Sequence, residues 1–237
     1  MCLAVGDLRI SGTYMPIIQN KKIYKWVYDH IISLIYNIMM KWCFAPVGGE
    51  EKCRDTLISN IEFSDSELIL DMCCGTGGSA RSLLKMAKAD SHITGIDLSL
   101  GQLHQALRRQ DLRQIQFVEG DVTDACFRDG IFDKVFITFA LHEMIRDSRL
   151  KALREARRII KKNGSLVILE MDNPSRFLSR LFCGFWLFYW WPFNPETPTK
   201  KEMLRYGIDN EMKESGFRHV FKTKKFNGVL QTVQGIK

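Results

Sequence analysis

The sequence has few of the features that mark fibrous, disordered or disulfide-rich proteins. Among its 237 residues only 6 are proline and 17 are glycine, which excludes a collagen-like or low-complexity chain. Its seven cysteines are odd in number and contain no C-x2-C pair, so we expect neither a disulfide framework nor a metal site. Free thiols favour the reducing cytoplasm. The opening MCLAVGDLRISG lacks a basic stretch followed by an apolar run, so we expect no signal peptide.

What the chain does have is the composition of one folded, mildly basic domain. Hydrophobic residues make up 46% and charged residues 26%, enough to bury a large core in a chain of this length. The net charge of +7 comes from dispersed basic pairs. Because a nucleic-acid-binding protein more often concentrates such charge in one stripe, we do not expect a nucleic-acid partner.

One segment, residues 177–193, is unusually aromatic, with nine aromatic side chains in seventeen positions. Its charge-free part, 181–193, is too short to cross a bilayer, which takes ~20 apolar residues. Trp and Tyr favour the lipid–water boundary, so we expect an interfacial segment or a lid over a pocket. A buried core helix and the interface of a homodimer are the alternatives. The basic residues that flank the segment would meet anionic head groups; they are Arg176, Arg180, Lys200 and Lys201.

Apolar periodicity predicts alternating strands and helices. Strands are expected at 68–70, 92–96, 115–118, 132–139 and 166–169, and then at 217–224 and 226–235. Helices are expected at 23–44, 50–61, 78–88, 99–109, 147–161 and 199–215. This order predicts an α/β fold, a Rossmann-like doubly wound sheet that is mostly parallel with an antiparallel edge. We interpret the apolar stripe of the first helix as core packing, with completion of a pocket as the alternative; it consists of Ile23, Val27, Ile31, Ile35 and Ile38.

The strongest functional motif is the glycine-rich turn DMCCGTG, which runs from Asp71 to Gly77. Glycines allow positive φ angles and let a ligand approach the main chain. The turn follows the first strand, and open α/β sheets bind ligands at the carboxyl ends of their strands. Acidic residues follow the next two strands. The carboxylate of Asp97 can accept hydrogen bonds from ribose hydroxyls, and that of Asp121 can accept one from an adenine amino group. Together these residues predict one nucleoside-binding crevice.

The set of D-x-x-x-G-x-G, G-I-D-L-S, G-D-V and F-D motifs over residues 68–170 resembles the class I S-adenosylmethionine-dependent methyltransferases. A nicotinamide-dependent oxidoreductase is disfavoured, because Ala80 stands where the third glycine of G-x-G-x-x-G would be. The resemblance implies S-adenosylmethionine as the cofactor and a cofactor-binding set. Its members are Asp71, Cys73, Gly75, Thr76, Gly77, Asp97, Leu98, Gln102, Asp121, Val122, Phe139 and Ala140.

A closer resemblance, to the ubiquinone/menaquinone biosynthesis C-methyltransferase family, extends over most of the chain. It includes Tyr28-Asp29 and Arg54 near the N-terminus and the stretch LEMDNP after the fifth strand. It implies one methyltransferase domain over 1–237 that methylates a prenylated phenol or naphthol at a membrane surface. We divide this domain into a helical cap, a cofactor-binding core, an aromatic lid and a closing helix with two strands, at 1–62, 63–172, 173–200 and 201–237.

The chain departs from that family after the fourth strand, where FALHE stands in place of F-G-I-R-N. We therefore take His142 as a candidate general base, delivered into the crevice, with Glu143 orienting it or facing away. The alternative for His142 is a residue that contacts the cofactor or serves packing. The expected acceptor is a lipid-like or small aromatic molecule, and the expected location is the cytoplasm at the inner face of the cell membrane. Methylation of N, O or S in a soluble metabolite and a non-catalytic cofactor-binding role remain open.

Overall fold

The computed structural model describes residues 20–174 and 197–237, which contain a seven-stranded sheet in the order β3-β2-β1-β4-β5-β7-β6. Strands β1 to β5 are parallel neighbours, whereas β7 runs antiparallel to both β5 and β6. The predicted mostly parallel sheet with an antiparallel edge is confirmed. The strands are β1 (Leu68–Met72), β2 (His92–Asp97), β3 (Gln116–Glu119), β4 (Phe132–Thr138), β5 (Ile160–Met171), β6 (Arg218–Lys225) and β7 (Leu230–Ile236).

The helices flank this sheet and precede it. They are α1 (Lys21–Val27), α2 (Ser33–Phe44), α3 (Glu50–Ile58), α4 (Gly78–Met86), α5 (Leu100–Arg108), α6 (Arg146–Ile159), α7 (Thr197–Tyr206) and α8 (Ile208–Glu214). A π-helical turn, Tyr28–Ile32, joins α1 to α2, so the predicted helix at 23–44 is continuous but not α-helical throughout. We call residues 21–44 the N-terminal arm.

Side chains from both faces of the sheet are buried, as a doubly wound fold requires. In β1, Ile69 packs with Leu57 of α3 and Leu83 of α4, whereas Leu70 packs in a second cluster that includes Leu153 of α6 and Met203 of α7. The helices thus hold the strand ends in fixed positions on both sides of the sheet.

Two predicted helix boundaries were wrong. The helix predicted at 147–161 ends at Ile159, because Ile160 is buried and pairs with Phe132 as the first residue of β5. Asn163, read from the sequence as a helix stop, instead has a φ of 66° inside that strand, where the pairing register shifts. The helix predicted at 199–215 is interrupted at Gly207, whose φ of 81° separates α7 from α8.

The interpretation of the arm's apolar stripe as core packing was also wrong. Ile23, Ile31, Ile35 and Ile38 are all exposed, and Val27 is only half-buried. Within the described ranges, no single helix has the length and apolar character for a bilayer span, although the bent pair Lys21–Tyr36 and Ile38–Val47 has both when taken together. The aromatic segment 177–193, with Arg176 and Arg180, lies outside the described residues.

Candidate active site

Two adjoining cavities, both open to solvent, lie where the carboxyl ends of β1 to β4 meet the N-terminal arm. Five residues line both cavities, namely Tyr24, Cys73, Asp97, Ala140 and Glu143. The crevice predicted at the strand ends therefore exists, and the arm forms one of its walls.

The glycine-rich turn after β1 forms the floor of the first cavity. Gly75 and Gly77 have φ angles of 53° and 79°. A Cβ atom on Gly77 would come within 2.3 Å of the Leu112 side chain, and one on Gly95 of β2 would come within 2.8 Å of the Cys74 sulfur. Only glycine fits the turn and the strand beside it, and this brings the main chain close to the cavity.

Asp97, at the end of β2, fastens that turn and faces both cavities. One carboxylate oxygen accepts a hydrogen bond from the Gly75 N–H at 2.8 Å, and the other accepts from the Ser99 N–H at 2.9 Å. Burial raises the pKa of Asp97 above its ordinary value, although these main-chain hydrogen bonds oppose the shift. Because each carboxylate oxygen accepts about two hydrogen bonds, Asp97 retains capacity for ligand hydroxyls.

Gln102 of α5 shows that the first cavity suits a polar ligand. Its side chain is 2% exposed and lines the cavity, yet neither its amide nitrogen nor its amide oxygen has a hydrogen-bond partner among the described residues. Buried amides are normally satisfied, so this orphaned pair indicates a ligand with both a donor and an acceptor.

The end of β3 forms part of the second cavity. Asp121 accepts hydrogen bonds from the Thr123 N–H and hydroxyl and pairs with Lys21 of the arm at 2.5 Å. Burial raises the pKa of Asp121, but Lys21 and Thr123 outweigh it and hold that pKa below its ordinary value. The predicted residues Leu98 and Val122 line this cavity beside it.

The two candidate catalytic residues are neighbours in the short 3-10 turn after β4, Leu141–Glu143, but their side chains have different surroundings. Glu143 lines both cavities, where its carboxylate accepts hydrogen bonds from the hydroxyl groups of Tyr24 and Tyr28. The structure places His142 differently from our expectation: it is buried, lines neither cavity, and has its Nδ1 3.0 Å from Glu170 of β5.

Glu170, and not Glu143, is therefore the carboxylate that orients His142. Burial raises the pKa of Glu170, but the charge and hydrogen bonding of His142 outweigh it and hold that pKa below its ordinary value. The expectation that Glu143 orients His142 was wrong because the 3-10 turn sends the two adjacent side chains to different surroundings.

The other predicted cofactor residues divide into two groups. Cys73, Gly75, Thr76, Phe139 and Ala140 line the first cavity. Asp71 and Gly77 line neither, since Asp71 is fully buried beneath the turn and Gly77 supports its far side.

Sequence reasoning missed the contacts that hold the arm over the site. Asp29 accepts hydrogen bonds from the Ser99 hydroxyl at 2.6 Å and from the Gly101 N–H at 3.0 Å, and it pairs with Lys25. A Cβ atom on Gly101 would come within 2.6 Å of the Asp29 carbonyl oxygen. The Tyr28-Asp29 pattern was visible in the sequence, but nothing in it indicated which partners these side chains have.

Arg54 of α3 is a second missed contributor to the first cavity. Its guanidinium donates to the Ser79 and Thr138 hydroxyls at 2.5 and 3.0 Å and lies 5.1 Å from the centre of the Phe139 ring. Glu50 pairs with the same guanidinium. This buried cation holds α3, α4 and the end of β4 together at the cavity wall.

The residues present fit S-adenosylmethionine. Asp97 has free acceptor capacity for ribose hydroxyls, and the unpartnered Gln102 amide can bind a group that both donates and accepts. The glycine-rich turn brings its main chain close to the cavity, where a nucleoside can approach it.

Comparisons with known proteins agree with this geometry. Residues 69–164 match the family model described as a methyltransferase domain. An uncharacterized methyltransferase of Synechocystis is 27% identical over 213 residues, which are 88% of this chain and 93% of that protein. The demethylmenaquinone methyltransferase of Bacillus subtilis is 30% identical over 190 residues, which are 79% of this chain and 73% of that enzyme.

Among solved structures, phosphoethanolamine N-methyltransferase 2 of Haemonchus contortus in complex with S-adenosyl-L-methionine shares the fold. Its TM-score is 0.65 at 15% identity, over 90% of this chain and 60% of that one. The chain therefore belongs to the family of S-adenosylmethionine-dependent methyltransferases that contains the bacterial demethylmenaquinone methyltransferases, and it is an enzyme that uses S-adenosylmethionine.

Proposed function

We propose that this enzyme methylates a ring carbon of a lipophilic, quinol-like aromatic acceptor at a membrane surface. The observation that carries the proposal is the position of Glu143, whose carboxylate faces both cavities and is held by two tyrosine hydroxyls. The activity named for the Bacillus subtilis relative supports the same acceptor class.

The cofactor would be held along the strand ends. Asp97 would accept from the ribose hydroxyls, with Asp121 and Val122 beside the adenine and the Cys73–Thr76 turn beside the amino-acid end. Leu98, Gln102, Phe139 and Ala140 would complete the contacts. Bound there, S-adenosylmethionine supplies a methyl group already activated by its sulfonium. The task of the protein is to align an acceptor carbon with that group, which is worth several kcal/mol.

The acceptor would lie where the cavities meet, next to Glu143. Apolar residues line the second cavity next to Glu143, namely Met144 and Ile145, and these suit an aromatic ring. Methylation of a ring carbon requires a base for the hydroxyl proton and later for the ring proton. We assign the hydroxyl proton to a carboxylate oxygen of Glu143, which returns it to the ring oxygen after methyl transfer. The same carboxylate then accepts the ring proton and releases it to solvent, with Tyr24 and Tyr28 fixing its orientation.

His142 has a positioning role in this proposal. Its pairing with Glu170 and the hydrogen bond from the Thr199 hydroxyl to its carbonyl oxygen, at 2.6 Å, fix the turn that carries Glu143. A His142→Ala variant should lose turnover mainly through misplacement of Glu143, so its pH–rate profile should keep the shape of the wild-type profile.

The test is a mass-spectrometric assay with deuterium-methyl S-adenosylmethionine and a demethylated naphthoquinol, kept reduced, with and without a prenyl tail. We expect a methylated product whose label resists conditions that cleave methyl ethers, with faster turnover of the prenylated acceptor. Label only on oxygen, nitrogen or sulfur of a soluble metabolite would contradict carbon methylation, and transfer to no acceptor would favour a non-catalytic role.

A further inference from the structure

The N-terminal arm exposes large apolar side chains along one side. Such residues are expected singly on a protein surface, whereas a contiguous patch indicates an interaction site. The set, which we call the apolar face, consists of Ile23, Trp26, Ile31, Leu34, Ile35, Ile38 and Trp42.

The π-helical turn keeps these residues on one side of the helix. Their spacing is one, three or four residues except for the step from Trp26 to Ile31, which is five. The π-helical turn Tyr28–Ile32 lies at that step, and hydrogen bonds of a π-helix join residues five apart. The apolar face thus runs across the junction between α1 and α2 as far as Ile35, and Ile38 and Trp42 extend it beyond a bend of 66° that follows Tyr36.

The opposite side of the arm is fastened to the domain by polar groups. Tyr24 and Tyr28 donate to Glu143, Asp29 accepts from Ser99, and the Ser33 carbonyl oxygen accepts from Gln105. A spanning helix is surrounded by hydrocarbon and is apolar all round. Residues 21–33 of the arm have one apolar and one polar side, which suits a helix that lies in the plane of an interface. Further along, the side opposite the apolar face packs in the core through Met40 and Phe44, so the domain and not lipid surrounds that side.

The charges of the arm fit an anionic surface. Of the four lysines in residues 21–44, Lys21 and Lys25 pair with carboxylates of the domain, and the arm has one acidic residue, Asp29. The Asp29 carboxylate is taken up by Lys25, Ser99 and Gly101, so no carboxylate of the arm opposes a negative surface. Lys22 and Lys41 are exposed near the two ends of the apolar face. Lysine beside Trp and aliphatic side chains is typical of helices that bind anionic lipids.

We propose that the apolar face docks the enzyme onto the surface of an anionic lipid bilayer. Tyr24, Tyr28 and Tyr36 of the same arm line the cavities, so docking would place the cavity mouth beside the hydrocarbon. The inference rests on the proposed function in one respect: a lipophilic acceptor would reach the cavity from the bilayer. It assigns the membrane contact to described residues, independently of the aromatic segment 177–193.

Vesicle co-sedimentation tests this proposal with the full chain. Wild type should bind vesicles of equimolar phosphatidylcholine and phosphatidylglycerol, and bind pure phosphatidylcholine more weakly. The variant Trp26→Gln/Leu34→Gln/Trp42→Gln changes side chains that are 55%, 77% and 60% exposed. Its apparent affinity for the mixed vesicles should fall by about tenfold or more, because it removes apolar area that would enter the lipid.

A control variant tests whether the loss of exposed apolar side chains elsewhere on the protein also weakens vesicle binding. Leu107→Gln/Phe221→Gln changes residues that are 61% and 55% exposed and lie outside the arm, and it should bind vesicles like wild type. A second variant, Lys22→Gln/Lys41→Gln, should weaken binding to the mixed vesicles several-fold and leave binding to pure phosphatidylcholine unchanged.

Three results would overturn the docking proposal. The first is that wild type does not bind the mixed vesicles, and the second is that the triple variant binds them as wild type does. The third is that the triple substitution leaves vesicle binding unchanged and alters only the oligomeric mass measured by sedimentation velocity. The last result would assign the face to a second copy of the chain. Unchanged affinity for S-adenosylhomocysteine by calorimetry verifies that each variant is folded, and Leu34→Gln alone replaces the triple variant if it is not.

Failure of docking is distinguishable from failure of the proposed function. Methylation of a quinol without a tail, together with no vesicle binding, would contradict docking and leave the activity intact. Vesicle binding that depends on the apolar face, together with no methylation of any quinol, would contradict the activity and leave docking intact.

Discussion

Helix α6 and the N-terminal arm are both amphipathic, yet they present opposite sides to the domain. In α6, Leu150, Leu153 and Ile159 are buried against the sheet while Lys151 and Arg154 are exposed. In the arm, the apolar face is exposed and the polar side is bound over the cavities. Periodicity in the sequence therefore identifies the apolar face of a helix. Whether that face is buried or exposed depends on the contacts that the opposite, polar face makes.

The difference matters for function because the arm and the strand ends contribute different things to one site. The strand ends supply Asp97, Asp121 and Glu143, whereas the arm supplies Lys21 and two tyrosines that reach those carboxylates. Variants at the strand ends should therefore change turnover and cofactor affinity. Variants in the arm should change how firmly the arm closes over the site.

The largest expected effect is on turnover, and it should differ between Glu143 and the arm residues that hydrogen-bond to it. Glu143→Gln removes the proton acceptor and should lower kcat by about 100-fold or more, with little change in cofactor affinity. Tyr24→Phe removes its hydrogen bond to the same carboxylate, keeps that of Tyr28, and should cost about tenfold or less. Single-turnover methyl transfer measures both, and equal losses would show that Glu143 acts with Tyr24 as one unit.

The next effect concerns cofactor affinity. Asp97→Asn leaves one of the Gly75 and Ser99 N–H groups without its acceptor and weakens the acceptor for ribose hydroxyls. Affinity for S-adenosylhomocysteine should fall by about 10- to 100-fold in calorimetry. Asp133→Asn is the matched control, because Asp133 accepts from the Leu68 N–H at the opposite end of the sheet. Loss of affinity in the control as well would indicate general destabilisation.

A smaller effect concerns stability and the buried Asp71. Burial raises its pKa to about 7 against the opposing charge of Arg54, from an ordinary value of 3.8. The folded state therefore keeps a proton that the unfolded state releases, so the free energy of unfolding should fall as the pH rises from about 4 to 7. Asp71→Asn removes this dependence.

Urea unfolding of the ligand-free protein at pH 5 and pH 8 measures the difference. At the higher pH the Asn variant should be more stable than wild type by roughly 1–3 kcal/mol, and at the lower pH the two should lie closer together. A variant with the pH dependence of wild type would mean that Asp71 ionises in the folded protein as it does in the unfolded chain.

The smallest effect tests closure by the arm. Burial raises the pKa of Asp29, but Ser99, Gly101 and Lys25 outweigh it and hold that pKa below its ordinary value. Its stabilising contribution is therefore present above the ordinary pKa of an aspartate and is lost as the pH falls through the lower, folded-state value. Asp29→Asn should lower the local stability of the arm by about 1 kcal/mol at neutral pH.

Hydrogen exchange should detect this change as faster exchange in the arm with unchanged protection in β1 and β4. Asp90→Asn, at an exposed carboxylate that pairs with Ser66, is the control and should leave the arm unaffected. Equal acceleration throughout the protein would mean that the arm is not a separate unit.

The parallel part of the fold was predictable because local signals agree there. Strands that end in Asp71, Asp97 and Asp121, with a glycine turn after the first, specify both the sheet and the side on which ligands bind. The break at Gly207 and the strand that begins at Ile160 were not predictable, since each depends on pairing or turning that tertiary contacts select.

The site was predictable residue by residue only where the main chain sets the direction of a side chain. Asp97 is the last residue of β2, so the strand sets the direction of its side chain, and it lines both cavities as expected. The neighbours His142 and Glu143 lie in a 3-10 turn, where sequence alone does not determine which of two adjacent side chains faces inward. The contacts of Tyr24 and Tyr28 join residues more than a hundred positions apart, and no local pattern encodes such a distance.

The most direct test of the account is a crystal structure of the enzyme with S-adenosylhomocysteine. We predict that the ribose hydroxyls donate to Asp97, that the Gln102 amide gains a hydrogen-bond partner, and that Glu143 stays within reach of Tyr24 and Tyr28. A nucleoside bound elsewhere, or cavities filled by side chains of the glycine-rich turn while the nucleoside is excluded, would contradict it.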